Sequence, residues 1–119
     1  MEDTLITFET AKLAKDKGFQ IPTVFHYDDK GTSCKYFNVK NNWNMPANEV
    51  LYSAPTQTLL QKWLRTTRKI HITITSISQE SWQYHVTKVG EKLGMVFAED
   101  YYTYEEALED GLKQALLVL

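Results

Sequence analysis

The chain has 119 residues, 43% of them apolar and 24% charged, with a formal net charge of −2 at pH 7. This usage excludes an intrinsically disordered chain, and the missing basic excess argues against a dedicated duplex-DNA binder. The length fits one domain, 1–119, burying about 65% of the surface its unfolded chain exposes. Cys34 is the single cysteine, so an intrachain disulfide and a multi-cysteine zinc site are both excluded. The start Met1-Glu-Asp-Thr has no basic n-region, and no apolar run approaches membrane-spanning length. The chain therefore reads as soluble and cytoplasmic, without a membrane partner.

In chain order, Thr7 is placed to cap a helix over 8–17 with Phe8, Ala11 and Ala14 inward, beside Leu13 or Lys15. Gly18 is placed to end it in the left-handed conformation, with Phe19 folding back on the last turn. Pro22 starts an extended run over 23–27, the Asp28-Asp-Lys-Gly31 segment supplies a turn, and 32–39 returns as a second strand. The Asn-rich segment 40–52 reads as a surface loop pinned by Trp43. Ser53 and Pro55 suit the start of a helix over 55–68, with Leu59, Leu60, Trp63 and Leu64 on its inner side. Strict alternation over 70–75 predicts a half-buried strand, isoleucines on one face and His71, Thr73 and Thr75 on the other. Alternation returns over 82–89, the 90–94 stretch reads as a turn, and 95–99 gives a fifth strand. Thr103 and Glu106 form a capping box that opens a last helix with Leu108, Leu112, Ala115, Leu116 and Leu119 inward. Gly111 within it either admits a close approach to the sheet or is merely tolerated, at about 1 kcal/mol against alanine.

The order α-β-β-α-β-β-β-α with short strand-to-strand turns predicts an α+β fold. A single antiparallel, meandering sheet of about five strands is expected, with helices on one face.

Three blocks carry a resemblance. They are Phe8-Glu-Thr-Ala-Lys-Leu-Ala-Lys15 with Lys17-Gly-Phe19, then Tyr52-Ser-Ala-Pro-Thr-Gln57 with Leu59-Leu-Gln-Lys-Trp-Leu-Arg65, then Thr103-Tyr-Glu-Glu-Ala-Leu108. In this order they resemble a family of small uncharacterised proteins encoded by phages and prophages of Bacteroides-type gut anaerobes. The resemblance implies a phage-type accessory protein in the cytoplasm of a bacterial host, acting on host defence or as a minor replication or packaging factor. It implies no activity, cofactor or catalytic residue.

Candidate chemistry is sparse. His26, His71 and His85 all fall in predicted strands, and His71 and His85 lie on the polar side of the alternation with Thr73, Thr75, Gln83 and Thr87. No HExxH or paired Cys/His spacing supports a metal, and isolated strand histidines are ordinarily solvated. Cys34 would need an activating histidine, and a simple register around 28–31 sets it opposite a residue near Phe25 instead of His26. The carboxylate pairs Asp28-Asp29 and Glu105-Glu106 are accounted for by a turn and a helix start; Glu99-Asp100 and Glu109-Asp110 read as solvated. Lys62, Arg65, Arg68 and Lys69 make a basic helix end, either solvated and complementing the helix dipole or holding the phosphates of a nucleic acid or small ligand. Seven tyrosines suit half-wet contact surfaces, and Tyr101 and Tyr102 sit in the densest group. No phosphate loop, nucleophile elbow or dinucleotide fingerprint occurs, so no cofactor and no enzyme activity are expected. The leading expectation is an interaction module that meets an unknown protein partner or a second copy of itself. Its surfaces would be an open sheet face carrying His71, Thr73, Gln83 and His85, and the edge carrying Tyr101 and Tyr102. Binding of a nucleic acid or phosphate-bearing ligand at residues 62–69 is the alternative.

Overall fold

The computed structural model describes residues 4–35, 37–45, 50–88 and 95–119. The chain divides into two compact units, Met1–Thr56 and Gln57–Leu119.

In the first unit, helix α1 spans Phe8–Asp16, and the Thr7 hydroxyl accepts from the Thr10 amide at 3.4 Å, which satisfies one orphan donor of the first turn. At the other end Gly18 sits at φ 92°. Its N–H donates to the Lys15 carbonyl, and that of Phe19 donates to Ala14 at 3.0 Å. This is the Schellman arrangement, and it seats Phe19 fully in the core. Strands β1 (Phe25–Tyr27), β2 (Ser33–Lys35) and β3 (Tyr52–Ser53) form an antiparallel sheet in the order β2-β1-β3. The β1–β2 loop is one residue longer than a tight turn, because Asp28 N–H reaches the Thr32 carbonyl at 3.1 Å around a left-handed Gly31.

Ser53 does not cap a helix. Its amide donates to Asn44 Oδ1 at 2.9 Å and its hydroxyl accepts from the Trp43 amide at 3.1 Å. Pro55 disfavours helical backbone at Ala54, so the chain stays extended after β3 (Tyr52–Ser53) and the helix starts at Gln57. Of the expected 40–52 loop, residues 46–49 lie outside the described residues, and 43–44 are more than a surface loop. Trp43 donates its indole N–H to the Thr23 carbonyl at 2.9 Å, and Asn44 is buried with its amide on the Phe19 carbonyl at 2.8 Å.

In the second unit, α2 spans Gln57–Thr67, followed by β4 (Ile70–Ser78), β5 (Ser81–Lys88), β6 (Met95–Tyr101) and α3 (Tyr104–Leu117). The strands form an antiparallel sheet in the order β4-β5-β6. Ile72 stands opposite Val86 and Ile74 opposite Tyr84, so these side chains share a face. α3 packs across all three strands, and α2 packs on β4 and α3. Leu60, Leu64, Leu112 and Leu116 are wholly buried, each contributing about 1.5–3 kcal/mol of burial. A Cβ on Gly111 would stand 2.9 Å from Ile72 Cγ2, so this glycine serves the close approach to the sheet. Thr103 caps α3 through the Glu106 amide at 3.1 Å, while the Glu106 carboxylate returns to the Tyr102 amide. Leu119, expected inward, stays 36% exposed past the end of α3.

The α+β class holds, with two three-stranded sheets in place of the expected single one. β1 has β2 on one side and the unforeseen β3 on the other, so the later strands pair among themselves. The expected turn at 90–94 lies outside the described residues.

Candidate interaction face

The β4–β5 register fixes the second face of the sheet. His71 stands opposite Thr87, Thr73 opposite His85 and Thr75 opposite Gln83. These residues alternate with Ile70, Ile72, Tyr84 and Val86, the buried set beneath α3, so they project from the other side. His71, Thr73 and Thr75 are exposed; Gln83, His85 and Thr87 are half-buried. His85 is central, with Thr73 on one flank and residue 96 of β6 on the other. Gln83 donates to Asp100 Oδ1 at 3.3 Å. The two histidines are diagonal neighbours across the strand pair, about 7–8 Å apart at the backbone. The surface they share is hydroxyl and amide-rich, suited to hydrogen bonding with another protein surface.

Tyr101 is not part of this face. It pairs with Trp82 on the helix-covered side, tilts against the Tyr84 ring at 5.8 Å, and hydrogen-bonds the Asp110 carboxylate of α3. Tyr102, the next residue, is 76% exposed. The two tyrosines thus divide between core rim and surface.

The basic helix end is partly occupied by its own fold. The Arg68 guanidinium lies over the Trp63 ring at 5.4 Å, and Lys69, at φ 60°, donates its ammonium to the Thr66 carbonyl at 3.3 Å. Both contacts complement the negative end of α2, which itself disfavours an anion at that place. Lys62 and Arg65 are exposed on the same helix. Trp63 is buried and presents no free ring for stacking.

In the first unit His26 stacks on Trp43, ring centroids 4.0 Å apart, and its Nδ1 is buried without a hydrogen-bond partner among the described residues. Burial pulls the imidazole below its ordinary pKa, with Asp28 opposing. Cys34 stands opposite His26, not Phe25, because of the longer loop. Its thiol donates to the Thr32 carbonyl at 3.5 Å. Ser53 stands on the other flank of His26, but its hydroxyl is engaged by the Trp43 amide. The row Cys34, His26, Ser53 is therefore built as the edge of a core, with the serine already bound.

No set of three or more His, Cys, Asp or Glu side chains among the described residues is arranged to hold a metal. None of the described helices is long and apolar enough to cross a membrane. Compared with family models, curated proteins and solved structures, the chain matches none.

Proposed function

We propose that this protein is a non-enzymatic interaction module whose working surface is the open face of the β4-β5-β6 sheet. The observation that carries the reading is the row pairing His71–Thr87, Thr73–His85 and Thr75–Gln83, a contiguous polar face opposite α3. Such a face offers hydroxyl and amide donors and acceptors at fixed spacing, the chemistry of a protein contact. The phage-type setting, in the cytoplasm of a bacterial host, rests on the three resembling sequence blocks. A phosphate-bearing ligand at Lys62, Arg65, Arg68 and Lys69 is the weaker reading, since Arg68 and Lys69 already serve Trp63 and the helix end.

The test is a paired substitution, Thr73→Glu with His85→Glu, in a chain immobilised for capture from bacterial lysate. Loss of captured protein, with the fold intact by circular dichroism, supports the face. An unchanged captured set, or none with the unaltered chain, refutes it.

A further inference from the structure

The hydrogen-bonding edge of β4 carries an inference beyond the face. β4 is an outer strand of its sheet, and its backbone polarity can be assigned. Gln61 of α2 donates its side-chain amide to the Ile72 carbonyl at 3.0 Å. That carbonyl therefore points away from β5. In an antiparallel ladder a residue's N–H and C=O point the same way and alternate along the strand. So His71, Thr73 and Thr75 bond β5, while Ile72, Ile74 and Ser76 direct their backbone outward. Gln61 occupies the Ile72 position; among the described residues nothing pairs with the outward groups of Ile74 and Ser76. The extra residue Ile77, a bulge between Ser76 and Ser78, closes the usable edge and is 57% exposed.

The devices that ordinarily protect an edge are few here. β4 is the longest strand, rich in β-branched residues, and has neither proline, lysine nor any carboxylate. A strand lacking fixed charge meets a copy of itself without like-charge repulsion. We propose that the β4 edge pairs antiparallel with β4 of a second copy, about a two-fold axis at Thr75. That axis sets Ile74 of each copy opposite Ser76 of the other, so every outward N–H and C=O of the free stretch finds a partner. It also sets Thr75 against Thr75 on the open face and joins the sheets of both copies. The inference deepens the interaction-module reading by naming a second copy as a partner, and it rests on that reading only for the class of function.

Sedimentation velocity from micromolar to near-millimolar concentration tests it, with Ser76→Pro and Thr75→Lys as variants. Proline at Ser76 deletes an outward N–H and leaves the β4–β5 bonds in place; lysine at exposed Thr75 puts like charges together at the axis. The unaltered chain is expected to dimerise, and each variant to weaken the dimer about tenfold or more. Concentration-dependent slowing of amide exchange at Ile74 and Ser76, with none at Thr73 and Thr75, is the accompanying signature. A chain monomeric throughout overturns the proposal, as does a dimer unmoved by both variants. The lysate capture with Thr73→Glu and His85→Glu is read separately, so failure of the edge and failure of the face are distinguishable.

Discussion

Gly111→Ala tests how α3 meets its sheet. In an exposed helix interior this substitution stabilises by about 1 kcal/mol, because glycine loses more backbone entropy and has no side chain. At Gly111 the new Cβ would lie 2.9 Å from Ile72 Cγ2 and 3.3 Å from two atoms of the Tyr84 ring. Ile72 Cγ2 is the branch methyl of a buried, β-branched side chain, which cannot swing aside by rotating a flexible tip. Overpacking of this kind costs about 1–3 kcal/mol. Set against the helix gain, the net expectation is a loss of about 0–2 kcal/mol. Urea denaturation followed by far-ultraviolet circular dichroism measures it, and the cycle with Ile72→Ala isolates the contact. Ile72→Ala alone costs about 2–5 kcal/mol. In the double variant the alanine methyl has room, so the combined loss falls short of the sum by about 1 kcal/mol or more. Gly111→Ala stabilising by the full helix gain, with additive behaviour in the cycle, would sink the close-approach account.

Three further outcomes follow from the first unit and the helix cap. His26 is held below its ordinary pKa, so the unfolded chain takes up the proton more readily. Its contribution to stability is full above about pH 6.5 and declines as pH falls from there toward the folded-state pKa. The urea midpoint should drop between about pH 7.5 and pH 5, by less in His26→Phe; an equal drop in both chains counts against the burial argument. Asn44→Leu removes its bonds to the Phe19 carbonyl and to the buried Ser53 amide and leaves that amide unsatisfied, at about 1–3 kcal/mol, read as a lowered urea midpoint. Thr103→Ala removes the α3 cap at about 1 kcal/mol and should speed amide exchange at Glu106 selectively.

Legibility differed by the kind of signal. Periodic and capping signals carried through: Thr7, Gly18 and Thr103 stand where their chemistry places them, and the 70–75 alternation sets His71, Thr73 and Thr75 on one face. Long-range choices did not show. The Ser53–Pro55 pattern suits a helix start and an extended approach to one; the choice was made by Asn44 and Trp43, which bond Ser53 and are themselves held by Phe19 and Thr23, far away in sequence. A two-residue strand such as β3 has no period to detect, and missing it merges two sheets into one. The Cys34 register slipped by a single loop residue, because Asp28 and Thr32 close the loop one step outside the turn. On the candidate face the histidines were legible and the place of Tyr101 was not, since β6 runs two residues past the expected 95–99 and pairs Tyr101 with Trp82, whose side of the sheet is the one under α3. Gln61, which defines the free edge, carries no sequence signal at all.

β4 answers three separate demands with one alternating sequence. Its even positions at Ile70 and Ile72 fill the space under α3, and its odd positions at His71, Thr73 and Thr75 furnish the open face. Its backbone divides in the same rhythm, odd residues bonded to β5 and even ones turned outward beyond Gln61. Because core, face and edge use different atoms of neighbouring residues, each is separable by substitution. Ile72→Ala weakens the core, Thr73→Glu alters the face, and Ser76→Pro blocks the edge while sparing both. A protein using this strand for contact would show that separation: dimerisation tracking Ser76, capture tracking Thr73, and stability tracking Ile72. If all three properties fell together with any one substitution, β4 would be a structural strand and nothing more.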